Sequence, residues 1–271
     1  MPKIRVNGIN IYYEIYGNGF PFVMINGQSG TVNSFKSLKL IFNQFISLFS
    51  KDFKTILFDK RGIGQTDDID KQYTIKTLAD DVVGLMENLN LEKANIIGFS
   101  MGGLIAQELM INYPEKIEKS VIGATHYGMS RYIMPSEEVT NIMMRNQEGL
   151  SPEEIVKSQI SLAYTEKFIK NNLNFIDTII QNYISNPITP EAYQKQINAI
   201  LRFNSSRRLK KVQLPTLVLH GRHDLLVPVR NAEILAELIH GTKLRIFENS
   251  AHTLLIEEPV EVLNEILNFL K

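Results

Sequence analysis

The sequence predicts an α/β fold: a mostly parallel central sheet flanked by helices, carrying one helical insertion. Three observations predict it. Short apolar runs such as Pro21-Phe22-Val23-Met24-Ile25, Thr55-Ile56-Leu57-Phe58 and Pro215-Thr216-Leu217-Val218-Leu219 are patterned like strands buried on both faces. Between them lie segments with apolar residues at helical spacing, the clearest being Ile75, Leu78, Ala79, Val82, Leu85, Met86 and Leu89. From about Tyr127 to Asn204 the strand-like runs stop and only helix-like segments remain, while strands and helices alternate on either side.

In chain order, Lys3 to Val6 and Asn10 to Tyr16 flank Asn7-Gly8, a dipeptide favoured in tight hairpins, and open the chain as an antiparallel pair. Pro21 to Ile25 is the first buried strand and runs into the flexible turn Asn26-Gly27-Gln28-Ser29-Gly30. Leu38 to Phe49 reads as a packed surface helix, and Thr55 to Phe58 as the next strand. That strand leads into Asp59-Lys60-Arg61-Gly62-Ile63-Gly64-Gln65-Thr66, where Asp59 and Arg61 are expected to brace a glycine-turned loop through charge-assisted hydrogen bonds. A crossover helix over Ile75 to Leu89 precedes the strand ending at Ile97; Lys119 to Gly123 gives one more strand. Within the insertion, helices are expected over Glu153 to Tyr164, Phe168 to Tyr183 and Glu191 to Phe203. Its Met129, Tyr132, Met134, Met143, Met144, Tyr164 and Phe168 are candidates for an apolar pocket lining or for plain core. The sheet resumes at Pro215 to Gly221 and closes with Thr242 to Phe247, and a helix from Pro259 to Lys271 ends the chain. The division expected is a core of residues 1–126 and 205–271 and a helical cap of 127–204.

Composition narrows the chemistry. A chain of 271 residues, 44% hydrophobic, can bury one large core. Lys plus Arg and Asp plus Glu both number 29, so overall charge points to neither nucleic acid nor an anionic membrane as partner. There is no cysteine, which removes disulfides, thiolate metal sites and a thiol nucleophile together. The first residues lack the apolar core of a signal peptide, and Leu38 to Phe49 is too short, and too interrupted by Lys39, Asn43 and Gln44, to span a bilayer. A cytoplasmic protein with no membrane span, acting on a small molecule, is the expectation.

The chemistry centres on Gly98-Phe99-Ser100-Met101-Gly102-Gly103. A β-branched run precedes it and a helix-favouring run follows, so Ser100 falls on a strand-to-helix turn where its neighbours two residues away must be small. The Met101 N–H at the helix start would face an oxyanion formed beside Ser100, and the Gln28 N–H is the candidate second donor. A serine hydroxyl needs a base, and imidazole suits because it changes charge near neutral pH; a buried carboxylate then fixes its tautomer. Asp224 and His252 fall just past the last two strands, on the edge where Ser100 also lies. Of the other histidines, His220 reads as structural, His126 begins the insertion and His240 follows a helix. His223 is the rival base, but its side chain should project away from that of adjacent Asp224.

With Ile25-Asn26-Gly27, Asp59 to Gly64, the Ser100 motif, Leu214 to Asp224, and Ala251-His252 followed by Glu258-Pro259, the chain resembles the α/β-hydrolase fold family over nearly its whole length. That family includes esterases, haloperoxidase-like perhydrolases, enol-lactonases and carbon-carbon bond hydrolases. The resemblance implies an α/β-hydrolase fold with the cap after the sixth strand, Ser100 as nucleophile, Asp224 as orienting acid, His252 as base, and the Gln28 and Met101 N–H groups as oxyanion hole. It implies no metal or organic cofactor. Two residues depart from the family pattern: Asn26 stands where histidine is usual, and Ala251 where glycine is frequent. The activity implied is a serine esterase acting on small to medium apolar acyl groups. The alternatives are thioester, enol-lactone or carbon-carbon hydrolysis, perhydrolysis, or a small-molecule receptor that keeps the fold. Oligomeric state is not legible in the sequence.

Overall fold

The computed structural model describes residues 2–69, 71–129, 132–144 and 150–271. Asn7 and Gly8 both have positive φ, 47° and 86°, and fold β1 (Lys3–Val6) back onto β2 (Ile9–Tyr16), the hairpin the dipeptide predicts. The other strands are β3 (Phe20–Ile25), β4 (Phe53–Phe58), β5 (Ala94–Phe99), β6 (Ile117–Gly123), β7 (Thr216–Gly221) and β8 (Lys243–Phe247). They form one eight-stranded sheet in the order β1-β2-β4-β3-β5-β6-β7-β8. Only the β1–β2 and β2–β4 pairings are antiparallel.

Helices α1 (Val32–Ser37), α2 (Lys39–Phe49), α3 (Ile75–Asn88), α4 (Met101–Asn112), α10 (Arg230–Leu238), α11 (Leu254–Glu257) and α12 (Pro259–Leu270) cover the sheet. Strand side chains alternate between two cores because successive residues point to opposite faces. Val23, Ile25, Ile56, Phe58 and Ile96 join the apolar faces of α3, α4 and α10. Phe22, Met24, Leu57 and Ile97 join those of α2 and α12. Both faces being buried, the strands read in sequence as unbroken apolar runs.

Between β6 and β7 lie α5 (Glu137–Met144), α6 (Pro152–Ala163), α7 (Glu166–Asn171), α8 (Leu173–Ser185) and α9 (Pro190–Leu201), with a small cluster of their own formed by Val156, Ile160, Tyr164, Ile176 and Ile180. Three expectations change here. The helix expected over Phe168 to Tyr183 is two helices: Asn172 leaves helical geometry at φ −133° and its amide donates to Phe168 O at 2.9 Å, offering the backbone an alternative to the next turn. Residues 137–144, unassigned in the sequence reading, are helical. Met134 and Met143 are 54% and 47% exposed, so neither is core; the Met144 side chain lies outside the described residues.

Arg61 also departs from expectation. Asp59 does brace its loop, accepting the Val32 and Gln65 N–H groups at 2.7 and 2.8 Å. Arg61 turns instead to α3 and grips Asp81 through Nε and Nη2 at 2.6 and 2.7 Å, both side chains being buried. Among the described residues no helix is long and apolar enough to cross a membrane.

Candidate active site

Ser100 sits between β5 and α4 at φ 54°, ψ −119°, a conformation costing a non-glycine residue about 1–3 kcal/mol. Short bonds to its backbone hold it there, with a longer one from the Leu104 N–H to its carbonyl at 3.4 Å. Its N–H donates to Gly123 O at 2.8 Å, and its carbonyl accepts from Thr125 Oγ1 at 2.8 Å and from the Gly103 N–H at 2.9 Å. The small-residue requirement has two distinct origins. A methyl on Gly98 would lie 2.1 Å from Gly102 O, where the strand passes its own helix; one on Gly102 would lie 2.1 Å from Ile25 O, at the end of neighbouring β3.

The turn after β3 runs past the serine. A methyl on Gly27 would stand 3.2 Å from Ser100 Cβ and 3.8 Å from its Oγ. Among the described residues the Gln28 N–H donates to no protein acceptor. Met101, as the first residue of α4, has no acceptor for its N–H within the helix.

Asp224 and His252, 28 residues apart, meet on the edge past β7 and β8: His252 Nδ1 lies 2.8 Å from Asp224 Oδ2. Asp224 Oδ1 accepts the Val227 N–H at 2.8 Å. The Asp224 carboxylate is fully buried. Burial by itself would favour its neutral form, but the His252 charge and the hydrogen bonds from His220 and His252 outweigh that and hold it well below the usual carboxylate range. For His252 burial opposes protonation, while the Asp224 charge and hydrogen bond, helped by the Glu257 charge, win and raise its pKa above the ordinary 6.5. Among the described residues no hydrogen bond joins the Ser100 hydroxyl to His252. Such bonds are commonly long before substrate is bound.

His220 is closer to the chemistry than the sequence reading placed it. Its Nε2 lies 2.8 Å from Val227 O and 3.1 Å from Asp224 Oδ2, so it helps fix the carboxylate. The i, i+4 spacing with Asp224 was the available signal. His223 is exposed, as is His240, and the backbone N–H of His223 is spent on Ser250 O.

Two further residues bear on the site beyond what the sequence assigns them, which for His126 is only a place at the start of the insertion. His126 is buried, and burial first, then the His252 charge, push its pKa down to about 4, so it is neutral at pH 7. Its Nδ1 accepts the Gly128 N–H at 3.1 Å, which leaves the ring proton on Nε2, and its ring centroid lies 4.7 Å from that of Tyr132. Glu257 fastens the histidine loop to the inserted helices, accepting the Ala251 N–H at 2.9 Å on one oxygen and the Thr165 N–H and hydroxyl at 2.9 and 2.7 Å on the other. No cluster of three or more His, Asp or Glu side chains among the described residues is placed to hold a metal ion.

The family model described as "alpha/beta hydrolase fold" matches residues 21–259. This chain belongs to the α/β-hydrolase family. RutD of Rhizobium rhizogenes, a proposed carbamate hydrolase, is 28% identical over 227 residues, covering 83% of this chain and 86% of that one. The 3-oxoadipate enol-lactonase 2 of Acinetobacter baylyi is 25% identical over 227 residues, covering 84% and 82%. Among solved structures, the enol-lactonase of Burkholderia xenovorans superposes with a TM-score of 0.83 at 22% identity, covering 99% of each chain. An esterase of Thermogutta terrifontis does so at 0.81 and 23%, covering 100% of this chain and 98% of that one. The chain is thus an enzyme of the α/β-hydrolase superfamily, and its mostly parallel eight-stranded sheet is the fold of these neighbours.

Proposed function

We propose that the protein is a serine hydrolase that works through Ser100, His252 and Asp224 and an acyl-enzyme, and that its substrate is a carboxylic ester with a small to medium apolar acyl group. The observation that carries the reading is the 2.8 Å bond between His252 and the buried Asp224, made on the same edge as the strained Ser100 elbow. With Nδ1–H held by Asp224, the free Nε2 is left to accept the serine proton as Oγ attacks the carbonyl carbon. The oxyanion is taken by the Gln28 and Met101 N–H groups. Collapse expels the alcohol, which receives the proton from His252, and water activated by the same base then frees the acid. Residues 127–204 serve as a cap over residues 1–126 and 205–271; its ties to the core, Gln196 to the Ser29 N–H at 2.9 Å and Lys195 to Asp68 at 2.8 Å, support that division.

The test is hydrolysis of p-nitrophenyl esters of increasing acyl length by the native chain and by Ser100→Ala. Turnover is expected to require Ser100 and to peak at a short or medium chain. Equal rates in the two proteins would end the reading. A second reading, a carbamate or enol-lactone as substrate, is favoured by the names of the two relatives. It predicts Ser100-dependent turnover of those compounds that exceeds every simple ester.

A further inference from the structure

Lys60 is buried, at 3% exposure, yet among the described residues its ammonium forms no salt bridge with a carboxylate. It donates instead to three backbone carbonyls, those of Asn26, Gly27 and Gly30, at 3.1, 2.9 and 3.2 Å. All three belong to the turn that passes Ser100. A buried charge is retained at considerable desolvation cost, so its placement on a single turn calls for an explanation beyond filling space.

The geometry of the peptide bond supplies one. The Gly27 carbonyl and the Gln28 N–H belong to the same planar trans peptide and point in opposite directions. Fixing the carbonyl on Lys60 Nζ therefore aims the Gln28 N–H away from Lys60 and leaves it without a protein acceptor. Within the turn the Gly30 N–H also donates to the Gly27 carbonyl, at 3.2 Å, so that oxygen is shared between the turn's own bond and Lys60, whose contact is the shorter at 2.9 Å and which holds the Asn26 and Gly30 carbonyls as well. From the far side Gln196 Oε1 accepts the Ser29 N–H at 2.9 Å and pins the next peptide. Lys60 also polarises the peptide it holds, which strengthens the opposite N–H as a donor.

We propose that Lys60 is a positioning residue for the oxyanion site: by clamping the carbonyls of Asn26, Gly27 and Gly30 it sets the direction and strength of the Gln28 N–H. This rests on the reading of Ser100 as nucleophile and Gln28 as donor. Burial pulls the Lys60 pKa down to about 8, the Asp59 charge acting the other way, so the ammonium is the main form at pH 7.

The test needs no knowledge of the natural substrate. A fluorophosphonate probe reacts with an activated serine: an Oγ–P bond forms, the P–F bond breaks, the proton passes to the histidine, and the phosphoryl oxygen occupies the oxyanion site. Labelling rates are measured for the native chain, Ser100→Ala, Lys60→Met and Lys60→Gln, with thermal melts to verify folding. Lys60→Gln removes the buried charge and keeps two donors, so it guards against misfolding of the methionine variant. The expected result is no labelling of Ser100→Ala and labelling of the folded Lys60 variants slower by roughly tenfold or more, approaching the loss of a whole oxyanion donor. On the best p-nitrophenyl ester the loss should fall on kcat, with KM changed by less than about threefold. A crystal structure of the Lys60→Met variant should show the Gly27-Gln28 peptide turned. Native labelling rates in a folded Lys60 variant, a loss confined to KM, or an unturned peptide would overturn the proposal. Undiminished labelling of Ser100→Ala, or no labelling of the native chain, would instead remove the nucleophile reading beneath it.

Discussion

Replacing Asp224 by Asn tests the site most sharply, because shape is conserved and only a proton changes place. In the native protein one carboxylate oxygen takes the Val227 N–H at 2.8 Å, and the other faces His252 Nδ1 at 2.8 Å and His220 Nε2 at 3.1 Å. An amide cannot serve both sides. If its oxygen keeps Val227, its NH₂ faces both imidazoles; His252 must then accept at Nδ1, its proton moves to Nε2, and Nε2 can no longer take the proton of Ser100. If the amide turns over, its NH₂ meets the Val227 N–H, which loses its acceptor inside a buried site at a cost of about 1–3 kcal/mol. In the first arrangement the NH₂ also meets the His220 Nε2–H, but that N–H keeps the Val227 carbonyl at 2.8 Å and is not stranded, so the first arrangement is preferred and carries the wrong tautomer. The expected loss in kcat is about 10⁴-fold, the size found when a triad carboxylate becomes an amide. At about 1.36 kcal/mol per decade this raises the barrier by about 5.4 kcal/mol. The assay is ester turnover by Asp224→Asn alongside Ser100→Ala, with thermal melts of both. A folded variant that keeps more than a tenth of native kcat would refute the tautomer argument and the role of His252 with it.

The pH dependence follows from His252, whose raised pKa keeps the imidazolium to higher pH than free imidazole, so kcat/KM should climb with pH along a limb centred above 6.5. Glu257→Gln, removing a charge that helps raise it, should move that limb toward lower pH in the same rate profile. Stability runs the other way: the His252 contribution is complete below 6.5 and is lost as pH rises through its folded pKa, whereas that of Asp224 is present above 3.8 and is lost only as pH falls through its much lower folded value. Thermal melts across pH should resolve the two. Gly102→Ala drives a methyl to 2.1 Å from Ile25 O and should cost about 3 kcal/mol or more, or leave no folded protein; a denaturant midpoint near native would contradict the close approach. Arg61→Met strands the buried Asp81 and should lose about 3–5 kcal/mol in urea unfolding, whereas Arg61→Met with Asp81→Leu should recover much of it. A double variant no more stable than the single one would show that the pair is not the main term.

The α/β class and the serine elbow were legible because their signals are local. A strand buried on both faces must be apolar throughout, as Phe22 to Ile25 and Ile56 to Phe58 are. A strand that turns at once into a helix needs glycine where backbones touch, as Gly98 and Gly102 do. Asp224 and His252 could be named because each follows a recognisable strand, though their bond spans 28 residues. Other features had no local signature. Nothing in the Asp59 to Thr66 stretch says that Lys60 reaches back 30 to 34 residues to three carbonyls, or that Arg61 passes over Asp59 for Asp81. The same holds for His126 under the influence of the His252 charge, for Glu257 joining the histidine loop to Thr165, and for the outward turn of Met134 and Met143. Backbone pattern follows from the spacing of apolar and small residues along the chain. The partner of a long polar side chain is settled only when packing brings distant segments within about 3 Å and leaves a buried charge one set of acceptors to satisfy it.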